Sequence, residues 1–276
     1  MITPRTDHLI DLALEEDAGL GDLTSRSIFP DSHRSRAVIE AGQDLIVCGA
    51  DIAARVFARI DPRIKVTAIA KDGTRLRRGG IALRVEGPTV SILTAERTAL
   101  NFLQRLSGIA TLSRRFADAV KDTGVRVVDT RKTTPGFRAL EKAAVRAGGC
   151  FNHRSSLGEH VMLKDNHIIA AGSIRRAVAL ARREAPHLAI VEVEAKTMSE
   201  VRAALAADAG AILLDNMTPD QVKRAVATIA GRALVEVSGG VRLETIRDYA
   251  LPGVDVISIG ALTHSAPVAD FSLTVV

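Results

Sequence analysis

The sequence predicts an α/β protein in two parts, an N-terminal α+β unit followed by a parallel barrel of βα units. Three observations carry that expectation. Hydrophobic residues make up 47% of the 276 residues, enough to bury a sizeable core. From about residue 125, short β-rich apolar runs alternate with helical stretches, and the last four runs begin about 22 residues apart, the length of a βα repeat. Before that point the runs are of another kind, short alternating strands that end in one long helical stretch.

Residues 8–16 carry apolar side chains at helical spacing, and Glu16-Asp17-Ala18-Gly19-Leu20-Gly21-Asp22-Leu23-Thr24 follows as a polar, glycine-bearing turn. Residues 36–40 and 65–70 are β-rich, and residues 79–87 alternate between bounding glycines as a strand does. Residues 93–106 read as a helix with Thr94 as its cap. Strands are then expected at 126–130, 161–164, 189–194, 211–215, 234–238 and 254–260, with helices such as 173–184, 199–207 and 242–250 between them. Six strands are fewer than the eight of a closed barrel. The barrel is therefore incomplete, or a further strand lies where the pattern does not mark it.

Composition narrows the function. The formal net charge is +5 and the basic residues are spread along the chain, which suits an anionic small molecule better than a nucleic acid. Aromatic residues, at 3%, are too few for base-stacking platforms. Cys48 and Cys150 cannot form a disulfide framework, so a cytoplasmic location is expected. No apolar run is long enough to span a membrane, and the first residues lack the apolar segment of a signal peptide.

In a parallel barrel the working residues stand at the carboxyl ends of the strands. Here those ends carry Thr130-Arg131-Lys132, Lys164-Asp165-Asn166-His167, Glu192 and Glu194, Asp215-Asn216, Ser238-Gly239-Gly240, and Gly260-Ala261. Strand alternation sets Val191 and Val193 on one face and Glu192 and Glu194 on the other, with Glu236 sharing the face of Ser238. Valines suit the helix-covered face, so the glutamates point into the barrel, where a carboxylate needs a partner or a metal. Arg131, Lys132, Arg154 and Lys164 are candidate partners. The bland alternative is a set of internal salt bridges that only hold the barrel together. Ser238-Gly239-Gly240 and the turn at Gly260 offer backbone N–H groups to phosphate, as late strands of such barrels commonly do. His153 and His167 read equally well as buried structural histidines. His8, His33, His160 and His187 have no motif around them and read as surface or structural.

These residues fall into a recognisable order. Asp129-Thr130-Arg131-Lys132-Thr133-Thr134-Pro135-Gly136-Phe137-Arg138 resembles the DTRKTxPGxR segment of quinolinate phosphoribosyltransferases. Gly148-Gly149, Asn152-His153-Arg154 and Leu163-Lys164-Asp165-Asn166-His167-Ile168 follow in that family's order and spacing. Segments around Glu96-Arg97, Glu16-Asp17 and Ser258 to Ser265 match as well, so the resemblance covers nearly the whole chain. One departure stands after Arg154, where the family usually has a glycine-leucine pair and this chain has Ser155-Ser156-Leu157.

The resemblance implies an N-terminal α/β sandwich domain over residues 1–106, to which residues 267–276 return, and an incomplete parallel α/β barrel over residues 107–266. It implies transfer of phosphoribosyl from phosphoribosyl pyrophosphate, with Mg2+, to quinolinate, giving nicotinate mononucleotide, pyrophosphate and carbon dioxide for NAD biosynthesis. It also implies a homodimer or higher oligomer in which Arg97 serves the partner's site. Residue by residue, Arg131, His153 and Arg154 would hold the quinolinate carboxylates, beside Thr130. Lys132 and Lys164 would touch both substrates, and Glu194 and Asp215 would face the ribose and its magnesium. Ser238, Gly239, Gly240, Gly260 and His264 would meet phosphate. The rival readings are a Schiff-base aldolase acting through Lys164, a non-catalytic binder of phosphorylated metabolites, and a molybdate-linked relative that tends to lose the Lys-Asp-Asn-His segment kept here.

Overall fold

The computed structural model describes residues 2–68 and 70–276. The chain begins with helices α1 (Pro4–Ala18) and α2 (Leu23–Ile28), strands β1 (Arg34–Ala41) and β2 (Leu45–Ile46), and helix α3 (Ala50–Ile60). Strands β3 (Lys65–Ala68), β4 (Arg75–Leu76) and β5 (Ile81–Pro88) lead into the long helix α4 (Thr89–Val120). Next come β6 (Arg126–Val128), α5 (Arg138–Ala147), β7 (Val161–Leu163), α6 (Asp165–Ala171) and α7 (Ile174–Glu184). The repeating part continues with β8 (Val191–Ala195), α8 (Met198–Ala206), β9 (Ala211–Asp215), α9 (Pro219–Ile229) and β10 (Leu234–Ser238). Helix α10 (Ile246–Tyr249), β11 (Val256–Ser258), α11 (Ala261–His264) and β12 (Phe271–Val275) complete the chain.

Two compact units result. The first gathers Met1–Arg114, Thr133–Gly149 and Leu262–Val276, and the second Arg115–Lys132 and Cys150–Ala261. In the first, an antiparallel sheet has the order β12-β1-β5-β3, with Ala41 opposite Phe271 at one end of the β1–β12 register. The alternation expected for residues 79–87 is seen in β5, where Leu83 and Val85 are buried and Arg84 and Glu86 exposed. Helix α3 packs on this sheet through Ile52, Ala53, Val56 and Phe57, one apolar stripe at helical spacing. At the other end of the sequence pattern, Asp22 caps α2 by accepting from Ser25 N–H at 2.9 Å, which explains its place after the Gly21 turn.

The second unit holds a six-stranded sheet of order β6-β11-β10-β9-β8-β7, every pair parallel. Strands β6 and β7 are its two ends, so the barrel is incomplete. A single parallel bridge from Phe151 to Val128 extends the β6 edge by one residue. Helices α7, α8 and α9 start at Ser173, Thr197 and Thr218, whose side chains each accept a backbone N–H of the first turn. Val193, Ile212, Leu214, Val237 and Ile257 are fully buried along the strands, the aliphatic core that the low aromatic content required.

Three boundary expectations change. Thr94 is not a cap. Helix α4 starts at Thr89, and Thr94 Oγ1 donates to Val90 O at 2.7 Å from within it. The helix expected after Gly240 is cut to α10, because Ile246 N–H and Thr245 N–H both bond to Arg242 O and make a turn first. Of the β-rich run at residues 65–70, residue 69 lies outside the described residues and β3 ends at Ala68.

One buried ion pair ties the first unit together. Glu141 of α5 is fully buried, and its Oε1 accepts from Arg105 Nη2 at 2.7 Å and from Thr134 Oγ1 at 2.9 Å. Its Oε2 accepts from Thr134 N–H at 3.1 Å, while Arg105 Nη2 also donates to Thr263 O. The pair therefore holds the turn that follows Lys132 in sequence and the turn that carries His264. Glu141→Ala leaves a partly buried guanidinium without its carboxylate and is expected to cost about 3–5 kcal/mol of stability. Urea unfolding measures this, and a loss below about 1 kcal/mol would show that the pair holds nothing.

Candidate active site

The carboxyl ends of the parallel strands surround a cavity of about 580 Å³. Its lining includes Thr130, Arg131, Lys132, His153, Arg154, Lys164, Glu194, Asp215, Ser238, Gly239 and Gly240. The structure thus brings eleven of the sequence-predicted residues into one space. Met162, Leu213, Asn216, Glu236 and Ser258 complete the wall. Leu213, Glu194 and Glu236 share it because alternate residues on neighbouring strands face the same side of the sheet.

One wall is basic. Asp129, fully buried just past β6, accepts the His153 N–H on Oδ1 at 2.9 Å, and its own N–H donates to Phe151 O at 3.2 Å. This clamp brings Asn152-His153-Arg154 beside Arg131. Lys132 N–H donates to Thr130 Oγ1 at 3.1 Å, a side-chain turn that fixes the chain on leaving the strand. Arg154 reaches His160 O at 3.3 Å and Met162 Sδ at 3.4 Å, partners with little charge. Burial, together with the nearby Arg131 guanidinium, pulls the Arg154 pKa below its ordinary value. Two guanidinium groups this close at one cavity wall can each bind a carboxylate in bidentate fashion, which suits a dicarboxylate.

The facing wall is mixed. Lys164 Nζ lies 3.1 Å from Glu194 Oε2, across the ends of β7 and β8. His167 Nδ1 accepts the Lys164 N–H at 3.0 Å, so the histidine of the Lys-Asp-Asn-His segment secures the strand-to-helix turn. Asn216 Nδ2 donates to Asp215 Oδ2 at 2.9 Å, and Asn216 N–H donates to Ser238 O at 2.9 Å. Gly239 and Gly240 both have left-handed φ, +87° and +67°, so consecutive N–H groups can curl into an anion nest. A Cβ on Gly239 would meet Asn216 Oδ1 at 2.4 Å and Asn216 N at 2.9 Å, which restricts this position to glycine.

Behind the basic wall lies a cluster of acids and imidazoles. His153 Nε2 is 3.1 Å from Glu236 Oε2 and 3.8 Å from Glu192 Oε2, and His160 Nε2 is 3.3 Å from Glu192 Oε2. Burial, with Glu236 adding to it, pushes the Glu192 carboxyl above the usual range despite the hydrogen bond from His160. Sequence reasoning set His160 aside as surface or structural, and the structure places it against Glu192. No local pattern marks it, since its partner is contributed from the next strand.

Three predicted residues stand apart from the lining. Gly260 follows β11 and is not among the lining residues. Arg97 is exposed on α4, and His264 closes α11 with its Nδ1 2.6 Å from Ser265 Oγ; both belong to the first unit.

Comparison with known proteins converges on one family. Residues 22–107 match the N-terminal domain of quinolinate phosphoribosyl transferase, and residues 109–274 match its C-terminal domain. A probable nicotinate-nucleotide pyrophosphorylase (carboxylating) of Bacillus subtilis is 43% identical over 260 residues, 94% of this chain and 90% of that protein. A mitochondrial quinolinate phosphoribosyltransferase (decarboxylating) of Nicotiana tabacum is 41% identical over 286 residues, 97% of this chain and 81% of that one. The crystal structure of NadC from Streptococcus pyogenes superposes with a TM-score of 0.94 at 41% identity, covering 100% of this chain and 99% of that one.

The nest at Gly239 gives a direct check of this geometry. Gly239→Ala is expected to destabilise the protein by about 1–3 kcal/mol, from left-handed backbone strain plus the clash with Asn216. A chemical denaturation midpoint equal to that of the parent would rule out the turn described.

Proposed function

The chain belongs to the quinolinate phosphoribosyltransferase family, and from that premise we propose that it transfers phosphoribosyl from phosphoribosyl pyrophosphate to quinolinate with loss of carbon dioxide. The products are nicotinate mononucleotide and pyrophosphate, a step of NAD biosynthesis. The observation that carries this reading is the single cavity in which Arg131, Lys132, Arg154 and Lys164 face Glu194 and Asp215.

Both substrates are strongly anionic, and gathering them away from water requires fixed cations. Arg131 and Arg154 hold the two quinolinate carboxylates in bidentate fashion, with His153 and Thr130 beside them, which orients the ring as well as neutralising it. The ring nitrogen then faces the sugar carbon that bears pyrophosphate. As pyrophosphate departs, positive charge grows on the ribose, and the carboxylates of Glu194 and Asp215 stabilise it. Lys132 and Lys164 neutralise the leaving group, while Ser238, Gly239 and Gly240 hold a phosphate. Once the ring nitrogen is quaternary its positive charge stabilises the electron pair left on the adjacent ring carbon as carbon dioxide departs, and that carbon then takes up a proton, so decarboxylation needs no separate cofactor.

Mg2+ accompanies phosphoribosyl pyrophosphate in this proposal. The donor set fits it: Glu194 and Asp215 offer carboxylate oxygens at the ends of adjacent strands, and Mg2+ is commonly held by one or two carboxylates plus substrate phosphates. When bound it supplies charge neutralisation at the pyrophosphate. Gly260 and His264 are proposed as further phosphate contacts. Arg97, exposed on α4, is proposed to complete the carboxylate site of a partner in a homodimer. No helix among the described residues is long and apolar enough to cross a membrane, and the proposed location is the cytoplasm.

Incubation with Mg2+, phosphoribosyl pyrophosphate and quinolinate is expected to yield nicotinate mononucleotide and carbon dioxide. Product from nicotinate in place of quinolinate overturns the substrate assignment. Lys132→Ala is expected to lower kcat at least ~100-fold with the far-ultraviolet circular dichroism unchanged. Normal turnover in that variant removes the lysine from the mechanism.

A further inference from the structure

The cluster behind the basic wall has a use that the transfer reaction does not require. The geometry points to a binding site for a borderline divalent transition ion, of the Zn2+ or Co2+ class, held by His153, His160 and Glu192. The nearest ligand atoms of these three residues all lie within 4.8 Å of one another. Ligands about 2.0–2.2 Å from a tetrahedral ion stand about 3.4 Å apart. The edge from His160 Nε2 to Glu192 Oε2 is already 3.3 Å, and that from His153 Nε2 to the same oxygen is 3.8 Å. The two edges from His153, to Glu192 and to His160, have to shorten. Residues 155–159, which join the two histidines, are exposed, so that segment can shift without unpacking a core.

A second observation points the same way. Glu236 stands against this group with 6% of its surface exposed, and its Oε1 makes no hydrogen bond among the described residues. Its other oxygen is 3.1 Å from His153 Nε2. Two carboxylates thus share one buried space with two imidazoles, and an inward-facing oxygen lacks a donor. Buried carboxylates are paired or bind metal. A divalent ion would compensate both, with Glu236 free to join as a fourth ligand.

The donor set chooses the ion. Two imidazole nitrogens suit Zn2+, Co2+, Ni2+ or Cu2+, whereas Mg2+ takes oxygen ligands and dehydrates reluctantly. This chemistry differs from that of the carboxylate pair Glu194 and Asp215. Ligation does have a local cost. Arg154 N–H donates to His153 Nδ1 at 2.8 Å, so in the metal-free chain Nε2 carries the proton that faces Glu236. Binding through Nε2 displaces that proton and turns the ring away from the Arg154 N–H. Two hydrogen bonds are exchanged for metal–ligand bonds that engage both histidines. On the quinolinate reading, the occupied site also withdraws His153 from the substrate carboxylate, and Zn2+ becomes an inhibitor competitive with quinolinate.

The test is a Co2+ titration of chelator-stripped protein without substrates. One ion per chain is expected, with the visible ligand-field bands of low-coordinate, nitrogen-ligated Co2+. Equimolar Zn2+ should abolish the bands, and a large excess of Mg2+ should not. His160→Ala is expected to weaken Co2+ binding at least ~100-fold, since even outer-shell losses reach that size. His160→Gln serves as a second variant that fills the space and keeps a hydrogen-bond donor for Glu192. Absence of bands in the parent protein, or bands retained in both variants, overturns the site and leaves the cluster as an internal salt-bridge group. In the activity arm, Zn2+ should inhibit the parent and spare both variants. No turnover by any of these proteins while the bands persist would sink the quinolinate reading alone.

Discussion

A parallel sheet has a single carboxyl edge, and the candidate site depends on that constraint. Because every strand of the second unit runs the same way, each residue that follows a strand emerges on one rim. Residues far apart in sequence, Thr130 after β6 and Ser238 at the end of β10, meet there without any contact designed between them. The cost of this arrangement falls on the strand interiors, which must be buried throughout. Val193, Ile212, Leu214, Val237 and Ile257 meet it with aliphatic side chains, and the caps at Ser173, Thr197 and Thr218 start the covering helices close to the strand ends.

Charge gives the rim its character. Burial disfavours the charge on Arg154, and the neighbouring Arg131 guanidinium adds to the effect. Lys164 is held differently. Its side chain is 49% exposed while that of Glu194 is 10% exposed, so the pair opens to solvent at its lysine end. Such a pair is easily exchanged for a phosphate of higher charge. The buried acids behave in the opposite way, because Glu192 and Glu236 cannot turn to water and must settle their charge with His153 and His160. The cavity therefore has a face open to solvent and a buried one, and substrate exchange belongs to the first.

Where the physics is local, the sequence is a good guide. Strands 211–215 and 234–238 are expected and found with the same limits, because short β-rich runs bounded by Gly210 and by Ser238-Gly239 fit a strand and nothing longer. The strand-end residues are equally legible, since alternation alone puts Glu194 and Glu236 on the cavity side. Elsewhere tertiary contacts decide. Helix α4 extends well beyond the expected residues 93–106, and its start is set by Thr89, whose N–H bonds to His33 O. Thr133–Gly149 groups with the first unit through contacts such as Arg105 with Glu141 and Phe102 with Phe137, which no window of sequence reports. His160 escapes notice for the same reason: only folding brings it to Glu192.

The departure at Ser155-Ser156 can be weighed on these terms. A glycine is demanding to replace where the backbone is left-handed, and among the described residues the non-glycine positions with positive φ are Asp208, Asn216 and Ala230. Ser156 is not one of them, so a side chain there carries no such strain. Its Oγ accepts Gly158 N–H at 3.3 Å, and Ser155 N–H donates to Glu159 Oε2 at 2.7 Å, within an exposed turn. Arg154 is held from other directions, by His160 O and Met162 Sδ, and His153 by Asp129. The serines thus alter the outside of a turn whose inward residues are fixed by β6 and β7. Beside that turn, His160 at the amino end of β7 supplies a second imidazole to the buried acids, independently of the serines.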